Sequence, residues 1–352
     1  MEFAAENYIK REYTNIIKGL AIIIMFAHHF LTFPEWIIQD VNFSASDTFA
    51  DFFNLPLKIC VSLFAFLTGY FYYFRKKKTV KYSVKKATDI YLYYLIVLGI
   101  FIVFAYCLNC YQITAKGVIT ELLIINRNNM TFGWYALFYI IAVLVLPFYS
   151  KRAEKNPILT FCLGVVIPNV IALALNKVNN HIGNDIVNSA IESLSHITWF
   201  SCVASGYLFA QKGLFQKMDI ICSKRRGVRV LVYLALMILP FLARKQNDNL
   251  DIVYAPLFIF GLVGILRMIK HIKILYPISF LGKYSLLMWL LHSIFFNVSK
   301  QYTQPVLYYF NNPVLVLLTG LVLCLAAAVI LTYPVKGIIY LKDKLFKLSN
   351  KT

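Results

Sequence analysis

Long runs without aspartate, glutamate, lysine or arginine restrict the possible folds of this chain more than any other feature. They cover residues 90–115, 128–150, 156–176, 193–211 and 301–335 of the 352. A helix of roughly 20 apolar residues spans the hydrocarbon core of a bilayer, and within that core the backbone polar groups must be satisfied inside the protein. The runs therefore predict an all-α, polytopic membrane helical bundle.

Composition and charge agree with this class. Apolar residues make up 60% of the chain and charged residues 14%, whereas soluble domains contain about 25% charged residues. The formal net charge is +19. Because the basic clusters lie between apolar runs, we interpret them as juxtamembrane residues that contact membrane lipids. We therefore expect no nucleic-acid partner.

We predict about ten transmembrane helices in a single membrane domain that covers residues 1–352. The predicted helices lie near 13–33, 55–75, 88–108, 132–150, 157–175, 195–211, 228–243, 252–269, 280–299 and 313–340. The seventh to ninth have short uncharged runs, which flanking lysine and arginine side chains can extend by snorkelling. The longest connecting loops are then 34–54, 109–131 and 176–194.

Loop charge predicts the orientation of this bundle. Most of the 35 lysine and arginine residues fall on one side of the predicted helices. The exceptions are Lys58, Lys116, Arg127, Lys177, Arg244, Lys245 and Lys300. Basic loops stay in the cytoplasm, so we expect both termini on the cytoplasmic side.

The first predicted helix carries a stripe of polar residues, Arg11, Asn15, Lys18 and His29. At about 100° per residue these four fall within about 60° of one another, and His28 points about 100° away from them. An ionisable residue inside a membrane segment is costly and marks a functional site by default. A structural histidine bonded to a neighbouring helix is the alternative, and the alignment with Lys18 favours function.

The spacing of the stripe suggests its chemistry. About 16 Å of helix rise separates Lys18 from His29, so His29 lies near mid-membrane if Lys18 is at the cytoplasmic interface. A neutral imidazole there could take a proton from a hydroxyl or carry an acyl group transiently. Lys18 could meet a phosphate or another anion that enters from the cytoplasm.

The seven cysteines do not predict a metal or redox site. Cys107 and Cys110 form a CxxC pair, but no second pair or nearby histidine accompanies it. We interpret the cysteines as buried free thiols, and we expect no metal and no bound cofactor.

The first helix resembles acyltransferase family 3, the integral membrane acyltransferases that modify bacterial surface glycans. In that family an acidic residue precedes an arginine or lysine, a glycine follows, and ten residues separate the basic residue from a histidine. Asn15, Lys18, Gly19 and His29 occupy these positions here. Asn15 replaces the usual acid, and Lys18 keeps the charge of the commoner arginine without its bidentate fork.

Two further segments resemble the early helices of that family. SLFAFLTGY, at 62–70, matches the end of its second helix, where we interpret Gly69 as a close-packing position. Lys85 and Lys86 open the third helix, where the family often carries two arginines. The resemblance implies that these lysines meet an anionic donor, and contact with lipid on the inner surface is the alternative.

Two later segments complete the resemblance. FGWYALFYIIAVLVLP, at 132–147, places Trp134 either in a wall of the acceptor site or at the interface as an aromatic anchor. LGKYSLLMWLLHSIF, at 281–295, places His292 in mid-helix. We expect His292 to bond a neighbouring helix or to line the substrate site.

The resemblance implies an O-acetyltransferase in the bacterial cytoplasmic membrane. Acetyl-CoA or another acyl-CoA would be its donor substrate on the cytoplasmic side, and a cell-surface polysaccharide or lipid-linked glycan would supply the acceptor hydroxyl. His29 is then the predicted catalytic residue. The predicted substrate-binding residues are Lys18, Asn15, Arg11, Lys85, Lys86, Trp134 and His292. Aromatic residues of the acidic loop 34–54, such as Trp36 and Phe43, would help to hold the sugar.

A membrane transporter of an envelope precursor or an anion is the alternative function. In that case Lys18 and His29 would serve anion or proton movement. The chain shows neither the internal repeat nor the paired broken helices that are common in transporters, which favours the acyltransferase.

Overall fold

The computed structural model describes residues 7–41, 43, 47–109, 114–125, 132–179, 184–222, 225–296 and 299–349, with side chains up to residue 344. These residues form α-helices and short 3₁₀ segments, and no strand occurs among them. The α-helices are Arg11–Leu31 (α1), Asp47–Leu57 (α2), Ile59–Tyr73 (α3), Val80–Cys107 (α4), Ala115–Leu122 (α5), Trp134–Lys155 (α6), Pro157–Asn179 (α7), Asp185–Ser195 (α8), Phe200–Lys212 (α9), Leu214–Ile221 (α10), Arg226–Ala243 (α11), Asp251–Met268 (α12), Tyr276–Lys283 (α13), Ser285–Leu291 (α14), Lys300–Leu307 (α15) and Pro313–Ser349 (α16).

Eight helices in the described part of the chain are long and apolar enough to cross a membrane. They are α1, α2 with α3, α4, α6, α7, α11, α12 with the preceding 3₁₀ turn, and α16. Ile272–Lys283 and Ser285–Phe295 meet at a bend of 56° and give a ninth if the pair is one span. The all-α membrane bundle is therefore confirmed.

The count of about ten and the cytoplasmic placement of both termini remain predictions. The segment predicted at 195–211 consists of a 3₁₀ turn, His196–Trp199, followed by the 13 residues of α9. The predicted loops also contain helices, namely α2, α5 and α8. The second span begins at Asp47 rather than near 55, because α2 continues into α3 as one apolar segment.

The central helix of the bundle is α1, which packs against α2, α3, α12, α13, α14 and α16. Two glycines allow its closest approach, to α13. A Cβ on Gly19 would collide with the carbonyl oxygen of Ile278, and a Cβ on Gly282 would collide with that of Asn15. Small residues of this kind let membrane helices pack backbone to backbone, and here they place the polar stripe of α1 beside α13 and α14.

A second glycine pair brings α3 and α9 together. A Cβ on Gly69 would collide with the carbonyl oxygen of Val203, and one on Gly206 with that of Phe66. The geometry agrees with the interpretation of Gly69 as a close-packing position. Although α9 is short, its residues from Phe200 to Tyr207 are buried, so it forms part of the bundle interior.

The interpretation of the cysteines as buried thiols is wrong at two positions. Cys107 and Cys162 are exposed on the outer surface of α4 and α7, whereas Cys60, Cys202 and Cys324 are buried. Exposure at these positions is compatible with contact to lipid, because both helices have apolar outer faces. Cys110, the second cysteine of the CxxC pair, lies outside the described residues.

Candidate functional site

A cavity of about 730 Å³ opens between six helices. The stripe of α1 contributes Arg11, Asn15 and Lys18, and the other walls come from α3, α4, α6, α13 and α14. The cavity therefore lies against the polar face that the periodicity of the first helix predicts. Volumes of this order are typical of ligand sites.

The charge of the described cavity lining has one sign. Its basic side chains are Arg11, Lys18, Arg75, Lys86 and Lys283, and no aspartate or glutamate is among the lining residues that the structure describes. Cations that lack acidic partners at the edge of an apolar region are stabilised by an anionic ligand. The cavity is therefore suited to a ligand with phosphate or carboxylate groups at one end.

Exposure decreases from the mouth of the cavity to its floor. Arg11, Arg75 and Lys283 are exposed. At the floor Tyr135 and Trp289 are buried, and their rings stack with centroids 4.3 Å apart. The indole Nε1 of Trp289 has no partner in the described structure, so it is available as a donor. The cavity thus leads from a cationic mouth to an aromatic floor.

Beyond this floor lies a compact group of aromatic rings around His29, which we call the histidine cluster. It consists of His29 and the rings packed around it, those of His28, His292, Phe33, Phe132, Trp36 and Phe296. The ring centroid of His29 lies 4.0 Å from that of Phe132 and 4.9 Å from that of His292. Trp36 and Phe296 lie 6.1 Å and 6.4 Å away. Packing by rings shields His29 from water.

The cavity and the histidine cluster meet at α14 and the 3₁₀ turn that follows it. Trp289 and His292 are three residues apart and therefore share a helical face, and their ring centroids are 6.3 Å apart. The imidazole Nδ1 of His292 is hydrogen-bonded to the carbonyl oxygen of Trp289. One short segment thus forms the floor of the cavity and one side of the cluster.

The outer loop is held over the cluster by Gln304 of α15, which is fully buried. Its amide nitrogen donates to the carbonyl oxygens of Trp36 and Phe295, at 3.0 Å and 2.7 Å. Its amide oxygen accepts from the backbone N–H of Ile38 at 2.8 Å. Because these bonds tie the loop to the turn that carries His292, Trp36 is fixed near His29.

Most of the predicted site residues lie either in the cavity lining or in the histidine cluster. Lys86 lines the cavity together with the three residues of the α1 stripe, while His29 and His292 lie in the cluster. Lys85 instead points outward and pairs with Asp343 of α16. Trp134 packs against His196, with ring centroids 4.0 Å apart, and is not part of the cavity lining.

The two aromatic residues expected to hold a sugar lie in different surroundings. Trp36 lies beside His29, with ring centroids 6.1 Å apart. Phe43 is buried against Tyr308, with ring centroids 4.8 Å apart, and is unavailable to a ligand. His28 also lies away from the cavity, and its Nδ1 contacts the hydroxyl of Thr32 at 3.4 Å.

Sequence reasoning missed Arg75, Tyr135 and Trp289. Arg75 follows the end of α3 and lies over the ring of Tyr82, with its guanidinium carbon 4.2 Å from the centroid. Tyr135 follows the predicted Trp134, and Trp289 precedes His292 by one helical turn. The only sequence signal for the two aromatic residues is this closeness to predicted site residues, since an aromatic residue in a membrane helix is common.

Comparison with known proteins gives a family match over most of the chain. A family model described as an acyltransferase domain, that of acyltransferase family 3, matches residues 11–333. No curated protein and no solved structure matches the chain. The match begins at the first residue of α1 and includes every lining residue of the cavity except Asn7.

Proposed function

Because this chain belongs to acyltransferase family 3 and is a multi-pass membrane acyltransferase, we propose that it transfers an acetyl group from acetyl-CoA to a hydroxyl of a bacterial cell-surface glycan. The observation that supports this most directly is the cavity whose cationic mouth leads toward His29. We further propose that the protein resides in the bacterial cytoplasmic membrane with the cavity mouth on the cytoplasmic side, where acetyl-CoA is found.

The donor fits the charge and shape of the cavity. The phosphates of coenzyme A would pair with Arg11, Arg75 and Lys86 at the mouth, because charge-assisted hydrogen bonds to phosphate are the strongest that these side chains make. The narrow pantetheine arm would extend along the apolar and aromatic wall. The acetyl thioester then lies nearest to the floor formed by Tyr135 and Trp289.

Adjacent lysines provide a test of this donor site. We expect Lys86→Met to raise the KM for acetyl-CoA about ten- to hundredfold, because a hydrogen bond to a charged group contributes about 1.5–3 kcal/mol. Lys85→Met is the matched control, since Lys85 pairs with Asp343 outside the cavity. Its KM should stay within about twofold of wild type. Equal KM values for both variants would contradict the proposed donor site.

His29 is positioned for general base catalysis. Its imidazole takes the proton of the acceptor hydroxyl while the hydroxyl oxygen attacks the thioester carbonyl. The tetrahedral intermediate then collapses, the C–S bond breaks, and the imidazolium returns the proton to the coenzyme A thiolate. Since Trp289 separates the cavity from His29, its indole ring must move aside for the thioester to reach the base.

The acceptor would approach from the side of Trp36. Its indole is half-buried, stacks on Phe33 with centroids 4.0 Å apart, and lies next to His29. An aromatic face of this kind can pack against the apolar face of a sugar ring. Gln304 holds Trp36 in this position, so the acceptor meets a preformed surface rather than a mobile loop.

Acceptor binding can be tested with two aromatic residues of the same loop. We expect Trp36→Ala to raise the amount of solubilised lipid-linked glycan needed for half-maximal transfer by about three- to tenfold, the effect of losing one aromatic contact. Phe43→Ala removes a ring that packs on Tyr308, and it should lower stability without changing this half-saturation amount. A shift for Phe43→Ala alone would place the acceptor elsewhere.

The proposed function itself is tested with inverted membrane vesicles that contain the protein. Radiolabelled acetyl-CoA is added outside, where the cytoplasmic face is exposed, and label is measured in the glycan and lipid fractions. Vesicles with the protein should transfer label, and vesicles without it should not. Uptake of an anion or glycan precursor without acetyl transfer would refute the proposal and support the transporter alternative.

A further inference from the structure

We propose that His292 is a positioning residue that fixes the tautomer and orientation of His29 through a hydrogen bond between the two imidazoles. This inference deepens the proposed acetyl transfer and rests on it for its catalytic consequence. The hydrogen bond itself does not depend on that function. One ring nitrogen of each histidine is buried without a hydrogen-bond partner among the described residues.

The carbonyl oxygen of Trp289 determines the tautomer of His292. A carbonyl oxygen can only accept, so the Nδ1 that is bonded to it must carry the proton. In a neutral imidazole the other nitrogen then has a free lone pair. That nitrogen, Nε2, is buried and has no hydrogen-bond partner within the described residues. His292 thus presents an unused acceptor in the interior of the protein.

The neighbouring imidazole has the complementary feature. Nδ1 of His29 is buried and also lacks a partner in the described part of the chain. The two ring centroids are 4.9 Å apart, and the planes of the rings differ by 34°. A buried nitrogen without a hydrogen-bond partner destabilises the folded protein. With the ring centroids this close, rotation about the side-chain torsions would let His29 Nδ1–H donate to His292 Nε2 and satisfy both nitrogens.

This hydrogen bond has a consequence for catalysis. With the proton of His29 held on Nδ1, its Nε2 carries the lone pair that accepts a proton from the acceptor hydroxyl. A partner that holds a base in one tautomer and orientation increases its effectiveness, as the aspartate of the serine protease triad does for its histidine. The ring centroid of Phe132 lies 4.5 Å from that of His292 and 4.0 Å from that of His29. This close packing limits the orientations that the two imidazole rings can adopt.

The hydrogen bond can be tested directly by ¹⁵N NMR of the full-length protein labelled at histidine and reconstituted in lipid nanodiscs. Spectra of His29→Gln and His292→Gln assign the signals of the two residues. We expect wild-type His29 to be protonated at Nδ1 only, and His292→Leu to produce a mixture of His29 tautomers. A His29 signal that is unchanged in His292→Leu, or that shows the proton on Nε2 in wild type, would overturn the proposal. This result is obtained whether or not acetyl transfer occurs.

Acetyl transfer measured on the same variants tests the consequence. We expect His292→Leu to lower kcat by about 10²- to 10⁴-fold and to leave the KM for acetyl-CoA within about twofold. His292→Gln places an amide oxygen near the position of Nε2, so its kcat should be at least tenfold higher than that of His292→Leu. Equal losses in the leucine and glutamine variants with equally lowered melting temperatures would show a packing role and refute positioning. If wild type transfers no acetyl group, the proposed function fails while the NMR result still decides the hydrogen bond.

Discussion

Replacing His29 by glutamine should reduce acetyl transfer by about 10²- to 10⁴-fold, the usual contribution of a general base. Glutamine preserves most of the side-chain volume, so the contacts with Phe132 and His292 change little. It cannot take a proton at neutral pH, and the acceptor hydroxyl would remain unactivated. The KM for acetyl-CoA should stay near its wild-type value, because the donor contacts that we propose lie at the cavity mouth.

The adjacent histidine provides a matched control for this variant. His28 is also buried and its ring centroid lies 4.7 Å from that of His29, but it does not line the cavity and its Nδ1 contacts the hydroxyl of Thr32 on its own helix. His28→Gln should therefore retain transfer within about tenfold of wild type and show a similar melting temperature. If His28→Gln removed activity and His29→Gln did not, the assignment of the base to His29 would be wrong.

Replacing Gly19 by valine should strongly destabilise the bundle. A Cβ at this position collides with the backbone oxygen of Ile278, which cannot move aside as a flexible side chain can. The separation of α1 and α13 would have to increase, and the cost is at least at the upper end of the overpacking range, about 3 kcal/mol. The thermal midpoint in detergent should fall, with loss of monodisperse protein on gel filtration.

A glycine in open surroundings tests whether this effect comes from packing. Gly99 lies within α4, and an added Cβ there would meet none of the described residues within 4 Å. Gly99→Val should therefore leave the thermal midpoint unchanged within a few degrees. A similar decrease for both variants would mean that valine itself, rather than the contact between α1 and α13, disturbs the protein.

The membrane-spanning helices could be predicted from the sequence because their signal is local. A run of apolar residues has to form a helix in lipid, and α1, α4, α6, α7 and α16 lie close to their predicted positions. Bends and interruptions within the predicted membrane helices were harder to predict. The bend of 56° between α13 and α14 and the division of the segment at 195–211 depend on contacts with other helices, which the hydropathy of the segment does not encode.

Helical periodicity decides which side chains of α1 share a face, and Arg11, Asn15 and Lys18 all line the cavity. On α4 both Lys85 and Lys86 were predicted to bind the donor, and of this pair Lys86 alone lines the cavity. Lys85 faces α16 while Lys86 faces the cavity, because neighbouring residues on a helix point about 100° apart. The rotation of a helix about its axis is set by its neighbours, which the sequence of that helix does not contain.

The sequence by itself determined that the chain forms a membrane bundle and that one face of its first helix carries Arg11, Asn15, Lys18 and His29, because both follow from hydropathy and helical period. Tertiary structure alone decided that His292 meets His29 and that Trp289 separates them from the cavity. His29 lies in α1, whereas Trp289 and His292 lie close together in a segment far along the chain. Their contact depends on the close approach of α1 and α13 at Gly19 and the bend that follows, and such packing is a property of the whole bundle.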